Sequence, residues 1–489
     1  MSENSTKDRK KVAKYILICA FIFILQLIYS ILRYHVFFTS AFDLGIYIRK
    51  ISHYGAKRIA FLGHSEPILL LILPLYELFP YAETLLILQA LSVALSGLIF
   101  YKFANEILKN RDISFGLMLL YFLNPFLLGL IRYDFHPVSL ALPFIFLTAY
   151  YLEKRKYKKA LIASLFILSV KEDAGIALVS LGSYYLLKSN NFSLKVTIKK
   201  GLKLRFKREE WPLIILTLLG ILWILLSIFI LIPHYSARRH YGYTNRYSNP
   251  LSYLPEKIAY ILLHGVFVGF IPYTFPPNIF LFGVPMLENL LSSRIYQIAI
   301  GYQYQYMVVP LLFIATTYAI KIKKLDWESI KKIILTSLLI SVLFSPLIPP
   351  YGIEEYFPIL YKDPRFPIPS EHDRMLKNVI DIISVTNLTV LPQPTIYPHM
   401  ANRKETYLFY NQTNPPDILL LDPYIPLYCI QKDDTWCYDV HYFFELFNIS
   451  KKYKLYTFKG IEIYVRYDKV NSDNIQKLLA KIRQVTSKN

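Results

Sequence analysis

Apolar residues along the chain gather into runs separated by short polar or basic stretches, the pattern of a chain that crosses a membrane repeatedly. A crossing helix needs about 20 residues for a ~30 Å hydrocarbon core. The first run is about Lys14 to Leu32, followed by Thr84–Ala104, Ile113–Ile131, Pro137–Leu152, Lys159–Val170, Ala174–Leu187 and Trp211–Ile232. Lys257–Tyr273, Asn278–Leu291, Tyr304–Ile320 and Ile330–Ile348 complete the series. The pattern thus predicts about eleven crossings, several of them short enough to be broken helices packed on protein. Pro67–Phe79 is apolar but too short to cross and is bounded by Pro67, Pro74 and Pro80. It is read as re-entrant.

Charge sets the expected orientation. Lys7, Arg9, Lys10, Lys11 and Lys14 precede the first run; Lys154, Arg155, Lys156, Lys158 and Lys159 fill one loop; Lys195, Lys199, Lys200, Lys203, Arg205, Lys207 and Arg208 fill another. Short basic loops mark the cytoplasmic side. With Pro67–Phe79 re-entrant, all these loops and Lys102, Lys109 and Arg111 share that side. The reading is a multi-pass protein of the cell membrane, with a cytoplasmic N-terminus and an extracytoplasmic C-terminal portion. No small-residue cleavage site follows the first run, so it is read as a retained anchor.

From about Pro349 the pattern changes. Prolines cluster, then helix and strand signals alternate: Glu371–Val385 is helix-like, Leu388–Leu391 and Tyr407–Tyr410 look extended, and Ile418–Leu421 is a buried-strand run. Tyr453–Phe458 and Ile461–Arg466, joined at Lys459-Gly460, read as a hairpin. The expected organisation is a transmembrane domain over 1–348 and an extracytoplasmic α/β domain over 349–489, in a mainly α-helical membrane protein.

Composition agrees. Of 489 residues 54% are hydrophobic and 18% charged, against about 25% charged in ordinary soluble domains. Soluble enzymes, disordered chains and disulfide scaffolds are excluded. The net charge of +21 is mainly a topology signal with membrane lipid as the partner. No nucleic acid is expected, because no aromatic-basic reading surface accompanies the clusters. Cys429 and Cys437 lie in the portion expected outside, where a local disulfide and two free thiols are the alternatives. Sequons at Asn387, Asn411 and Asn448 fit the same exposure.

Ionisable groups at the edge of apolar runs are costly, and their default reading is functional. Four such clusters stand out: Phe42-Asp43-Leu44-Gly45, His64-Ser65-Glu66-Pro67, Tyr133-Asp134-Phe135-His136-Pro137 and Lys171-Glu172-Asp173. The predicted topology places all four outside. The bland alternatives are a helix cap for Asp43 and a local ion pair for Lys171. Asp and His can hold a divalent cation, Mg2+ or Mn2+, that carries a phosphate leaving group. A carboxylate can act as general base, and Lys or Arg can hold a phosphate directly. Arg238, Arg239 and His240, with Arg246, offer further cations; Tyr235, Tyr241, Tyr243 and Tyr247 are read as an interfacial belt rather than a sugar platform.

The four clusters, with Pro74-Leu-Tyr76, Leu88-Gln89-Ala90, Pro285, Asn289-Leu-Leu-Ser292, Pro398-His399 through Arg403 and Asp417 through Asp422, resemble in their order the prokaryotic membrane-protein family labelled domain of unknown function 2079. That family resembles the GT-C glycosyltransferase superfamily of polytopic enzymes with polyprenyl-phosphate-linked sugar donors. The resemblance implies a GT-C-like bundle with a re-entrant segment. It also implies Asp43 and Asp134 as catalytic carboxylates, and Asp43, Asp134 and His136 as the metal ligands. His64, Lys171, Glu172, Asp173, Arg238 and Arg239 are expected around the donor phosphate. Where the superfamily often has a pair of acids in the first loop, this chain has Asp43 alone. The expected function is transfer of a sugar from a polyprenyl-phosphate-linked donor to an extracytoplasmic acceptor, protein or glycan. The alternatives are a transporter or flippase for lipid-linked or polar substrates and a non-catalytic envelope scaffold.

Overall fold

The computed structural model describes residues 3–203, 205–236, 239–348, 359–360, 362–363, 365–425 and 448–487. Cys429, Cys437 and Arg238 lie outside the described residues.

The chain is mainly helical. Helix α1, Glu3–His35, is followed by a π-turn at Ala41–Gly45 and two short helices, α2 at Ile46–His53 and α3 at Ala56–Phe61. Next come α4 (Ile68–Leu78), α5 (Ala82–Leu108), α6 (Arg111–Phe122) and α7 (Pro125–Arg132). Then follow α8 (Leu142–Glu153), α9 (Tyr157–Leu168), α10 (Gly175–Ser189), α11 (Leu194–Leu202) and α12 (Trp211–Leu226). After α13 (Ile232–Tyr235), the helical part closes with α14 (Leu254–Val266), α15 (Ile279–Leu291), α16 (Val308–Lys323) and α17 (Trp327–Leu343).

By length and composition four stretches among the described residues can cross a bilayer as single helices: Ala13–His35, Ala82–Leu108, Trp211–Tyr235 and Gln303–Lys323. The run expected as one span over Ile113–Ile131 is two helices, α6 and α7, bent by 46°. The local sequence explains the break. Asn124 accepts hydrogen bonds from the amides of Phe126 and Leu127, and Pro125 occupies the first turn of α7, which restarts the helix instead of continuing it. The remaining apolar helices are shorter; α10 packs on α12, α8 on α5 and α9, and α15 on α10 and α16.

The two ends of this bundle differ in chemistry. At one end lie the basic loops, tied by Lys154–Glu106 (2.7 Å), Lys188–Glu153 (2.5 Å) and Lys200–Glu210 (3.0 Å). At the other lie the end of α1, the start of α5, the end of α7 and the α9–α10 junction. Both ends of α4 belong to this second end. The Ile68 amide donates to the Ser169 carbonyl beyond α9. At the far end of α4, Asn402 holds the Pro80 carbonyl and the Tyr76 hydroxyl.

A four-stranded sheet caps this same end: β1 (Val390–Pro392), β2 (Ile418–Leu421), β3 (Tyr453–Phe458) and β4 (Ile461–Arg466), in the order β1-β2-β4-β3. β1 and β2 are parallel and the other pairs antiparallel. Lys459 and Gly460 both take positive φ, the two-residue turn that matches strand twist. Helices α18 (Glu371–Ser384) and α19 (Asp473–Ser487) bury Leu376, Val379, Ile380, Leu478 and Ile482 against the strands. Tyr407–Tyr410, expected to be extended, does not form a strand of its own; Tyr407 donates one bond to Val390 from irregular chain. Phe37, from the loop after α1, is fully buried in this second core, so sheet and bundle share a side chain.

Candidate functional site

A cavity of about 400 Å³ opens beneath the sheet at the polar end of the bundle. Its walls include Asp43, His64, Asp134, His136 and Lys171, with Arg33, Arg132, Arg246 and Arg294, and a set of aromatic rings that includes Phe42, Tyr133, Tyr243, Tyr296, Tyr302, Tyr304 and Phe409. All four polar clusters singled out in the sequence therefore meet at one end of the helices, three of them through carboxylates or imidazoles on the cavity wall.

Most of the charges here neutralise one another. Arg33, buried at the end of α1, donates from Nε to Asp363 (2.7 Å) and from Nη1 to Asp134 (3.1 Å). Arg132 donates to the other Asp363 oxygen at 2.8 Å, and Tyr29 adds a third bond at 2.8 Å. Asp134 also accepts the Ser40 amide at 2.5 Å, which holds the loop before Asp43 in place. Lys171 pairs with Asp173 at 2.5 Å, and the Tyr306 hydroxyl donates to the other Asp173 oxygen at 2.5 Å. Glu172 is buried behind the wall. It is bonded to His64 Nδ1 at 2.8 Å and accepts from the Ser65 amide (3.2 Å) and the Tyr241 hydroxyl (3.0 Å). His136 Nε2 meets the Tyr47 hydroxyl at 3.0 Å, and Tyr47 donates to Glu66 at 2.6 Å, which Lys50 holds at 2.6 Å.

Two groups differ. Asp43 sits on the π-turn, half-buried, with the Tyr133 hydroxyl donating to its Oδ2. Burial pushes its carboxyl well above the usual carboxylate range, against the opposing pull of Tyr133 and Arg246 and with the help of Asp134. Arg246 is 8% exposed, lies with its guanidinium 4.1 Å from the centre of the Tyr243 ring, and has no carboxylate within salt-bridge distance among the described residues. Its Nε is buried without a hydrogen-bond partner. The Tyr243 ring is sandwiched from a second direction by His64, stacked at 4.6 Å and 8°.

Several sequence-based expectations change here. Asp43, Asp134 and His136 line one cavity, but among the described residues no three His, Cys, Asp or Glu are grouped as ligands of one ion. The physical reason is that Asp134 is occupied by Arg33 and the Ser40 amide, while His136 turns Nε2 to Tyr47. Arg239 is exposed and is not on the cavity wall, whereas Arg246 is. Glu172 and Asp173 support the wall residues His64 and Lys171 and do not line the cavity themselves. Tyr241 and Tyr243, expected in an interfacial belt, belong to the site through Glu172, His64 and Arg246. Arg33 and Arg132 also line the cavity; both stand at the ends of apolar runs, where the cost of burying a charge is the sequence signal that marks them. Asp363 carries no such signal.

Span-length apolar helices, with a charged and aromatic cavity at one end beneath a small sheet, define a multi-pass membrane protein with a polar cavity at one end of its helices. The chain belongs to the predicted membrane protein family DUF2079, whose model matches residues 22–436. A search of curated proteins finds no match to it.

Proposed function

We propose that this protein is a GT-C-like glycosyltransferase that binds the phosphate of a polyprenyl-linked sugar in the cavity and transfers the sugar to an extracytoplasmic acceptor. The observation that carries the reading is Arg246: a buried guanidinium on the cavity wall with no carboxylate within salt-bridge distance among the described residues, on the same wall as the Asp43 carboxylate. A buried charge without a counter-charge is costly, and an anionic ligand would repay that cost. The aromatic walls supply flat faces for a sugar ring.

In this reading Arg246, with Lys171 and His64 nearby, holds the phosphate. The acceptor hydroxyl oxygen bonds to the anomeric carbon as the bond from that carbon to the phosphate oxygen breaks. The hydroxyl proton passes to Asp43, and the electron pair leaves on the phosphate. No step needs a metal, because guanidinium donors supply the charge stabilisation. Basic loops at the opposite end of the helices support placing the cavity away from the cytosol. A transporter would favour charges near mid-depth, and these lie at one end.

The test is transfer from a radiolabelled polyprenyl-phosphate sugar to envelope material by membranes bearing wild type or Asp43→Asn. Transfer by wild type alone is expected. Equal products from a variant that still inserts and folds would refute the proposal.

A further inference from the structure

A second cavity, of about 390 Å³, lies between α2 and the irregular chain around residues 397–411. It shares the Phe409 ring with the first cavity. Tyr54, Tyr397 and Tyr407 complete its aromatic walls. We propose that it holds a neutral sugar unit of the acceptor, adjacent to the donor cavity; the word acceptor rests on the glycosyltransferase reading above, while the saccharide site itself does not.

The chemistry of the walls carries the inference. Aromatic faces bear the negative side of a ring quadrupole, which attracts the weakly positive C–H groups on the face of a pyranose. Four rings around one small space form such a platform. Hydrogen-bonding groups stand among them. The Asn411 side-chain oxygen is used by Thr413 and the Asn414 amide, and Asn411 lines the cavity. The Thr406 hydroxyl is buried without a partner among the described residues.

Charge decides the kind of sugar. Among the described residues no carboxylate lines the cavity. Arg49 on its wall donates to the carbonyls of Arg403 (2.9 Å) and Lys404 (3.2 Å), which leaves its positive charge in place. A cationic sugar therefore meets a like charge and no counter-charge here, whereas neutral hydroxyls find donors and rings.

The two cavities are joined through the turn that bears Asp43. The Ala41 amide donates to the Pro394 carbonyl at 2.8 Å. Gly45, at the end of the same turn, lets the Tyr397 ring pack directly on its backbone: a Cβ there would lie 2.6 Å from Tyr397 Cδ1. Tyr397 thus touches the Asp43 turn on one side and the second cavity on the other. An acceptor sugar bound against Tyr397 and Phe409 is placed to send its next hydroxyl past Phe409 toward Asp43.

The experiment is saturation-transfer NMR on the full-length protein in detergent, with maltotriose and mannotriose as neutral probes and tri-glucosamine as the cationic one. Saturation of a neutral trisaccharide is expected, weakened about tenfold or more, a change of about 1.4 kcal/mol, by Tyr407→Ala. The exposed Asn411→Ala provides a second variant that leaves the core untouched and is expected to weaken it too. Asp381→Asn, at an exposed pair with Lys377 off both cavity walls, is expected to leave neutral-sugar saturation intact. No saturation by either neutral probe, equal saturation by the cationic one, or indifference to both wall variants overturns the proposal. Saccharide binding without any sugar transfer would sink the glycosyltransferase reading and leave this site standing.

Discussion

Arg33 and Asp363 are 330 residues apart in the chain and 2.7 Å apart in space. Both side chains are almost fully buried, and Asp363 serves Arg132 at the same time. The pair fastens the end of α1, the end of α7 and the chain leading to the sheet at one point, directly behind the cavity.

Asp363→Asn leaves two buried guanidiniums short of their shared counter-charge. Breaking such a pair by removing one partner costs about 3–5 kcal/mol, so a clear fall in thermal unfolding midpoint in detergent is expected. Asp381→Asn, which breaks an exposed pair with Lys377, is expected to leave the midpoint unchanged. Similar midpoints for the two variants would show that the Asp363 junction does not hold the fold.

Arg246→Gln removes the cation that lacks a carboxylate while keeping a polar side chain of similar length. Loss of a charge-assisted contact to a phosphate amounts to about 1.5–3 kcal/mol. The expected result is therefore at least about a tenfold rise in the apparent Kd for a short-chain polyprenyl phosphate, read by microscale thermophoresis. Arg239→Gln, on the exposed segment, is expected to have no effect. A reversed order would move the anion site out of the cavity.

The donor set around Asp43 predicts metal independence. Activity of purified protein is expected to survive exhaustive EDTA treatment and to gain nothing from added Mg2+ or Mn2+. A loss reversed by either ion would mean that Asp43 and its neighbours rearrange around a cation.

His399 predicts a pH dependence of stability. It is buried between Tyr34, stacked at 4.0 Å, and Phe37, and burial, with Lys377 and His35 nearby, lowers its imidazole to about 3. In the unfolded chain the value is about 6.5. The unfolded state therefore takes up the proton first as pH falls. Stability is complete above the unfolded value and is lost progressively from about pH 6.5 toward 3. The loss amounts to about 2 kcal/mol at pH 5. His399→Gln is expected to lower the midpoint at pH 7.5 but to flatten its fall between pH 7.5 and 5. An equally steep fall in the variant would assign the dependence to other groups.

How much of this was legible depends on the range of the interaction concerned. The hairpin at Lys459-Gly460 and the helix after Ser370 follow from local turn and capping chemistry, and both are present. The division of Ile113–Ile131 into two helices was also local, since Asn124-Pro125 is a helix-start signal, but the apolar run masked it. The convergence of Asp43, His64, Asp134 and Lys171 at one end was readable from charge parity alone, because each crossing reverses direction. That Arg246 lines the cavity and Arg239 is exposed was not readable, because within one basic loop nothing in the sequence distinguishes a solvated arginine from a buried one.

The amino-acid sequence by itself determined a chain for the membrane, its basic loops gathered at one end and its unusual acids and imidazoles at the other. Those properties follow from hydropathy and charge, which act residue by residue. Only the tertiary structure decided which of those charges are spent. Arg33, Arg132 and Lys171 find carboxylates, and Arg246 finds an aromatic face and a cavity. Electrostatic pairing depends on distance in space, and contacts as remote as Arg33 with Asp363 are set by how the helices pack.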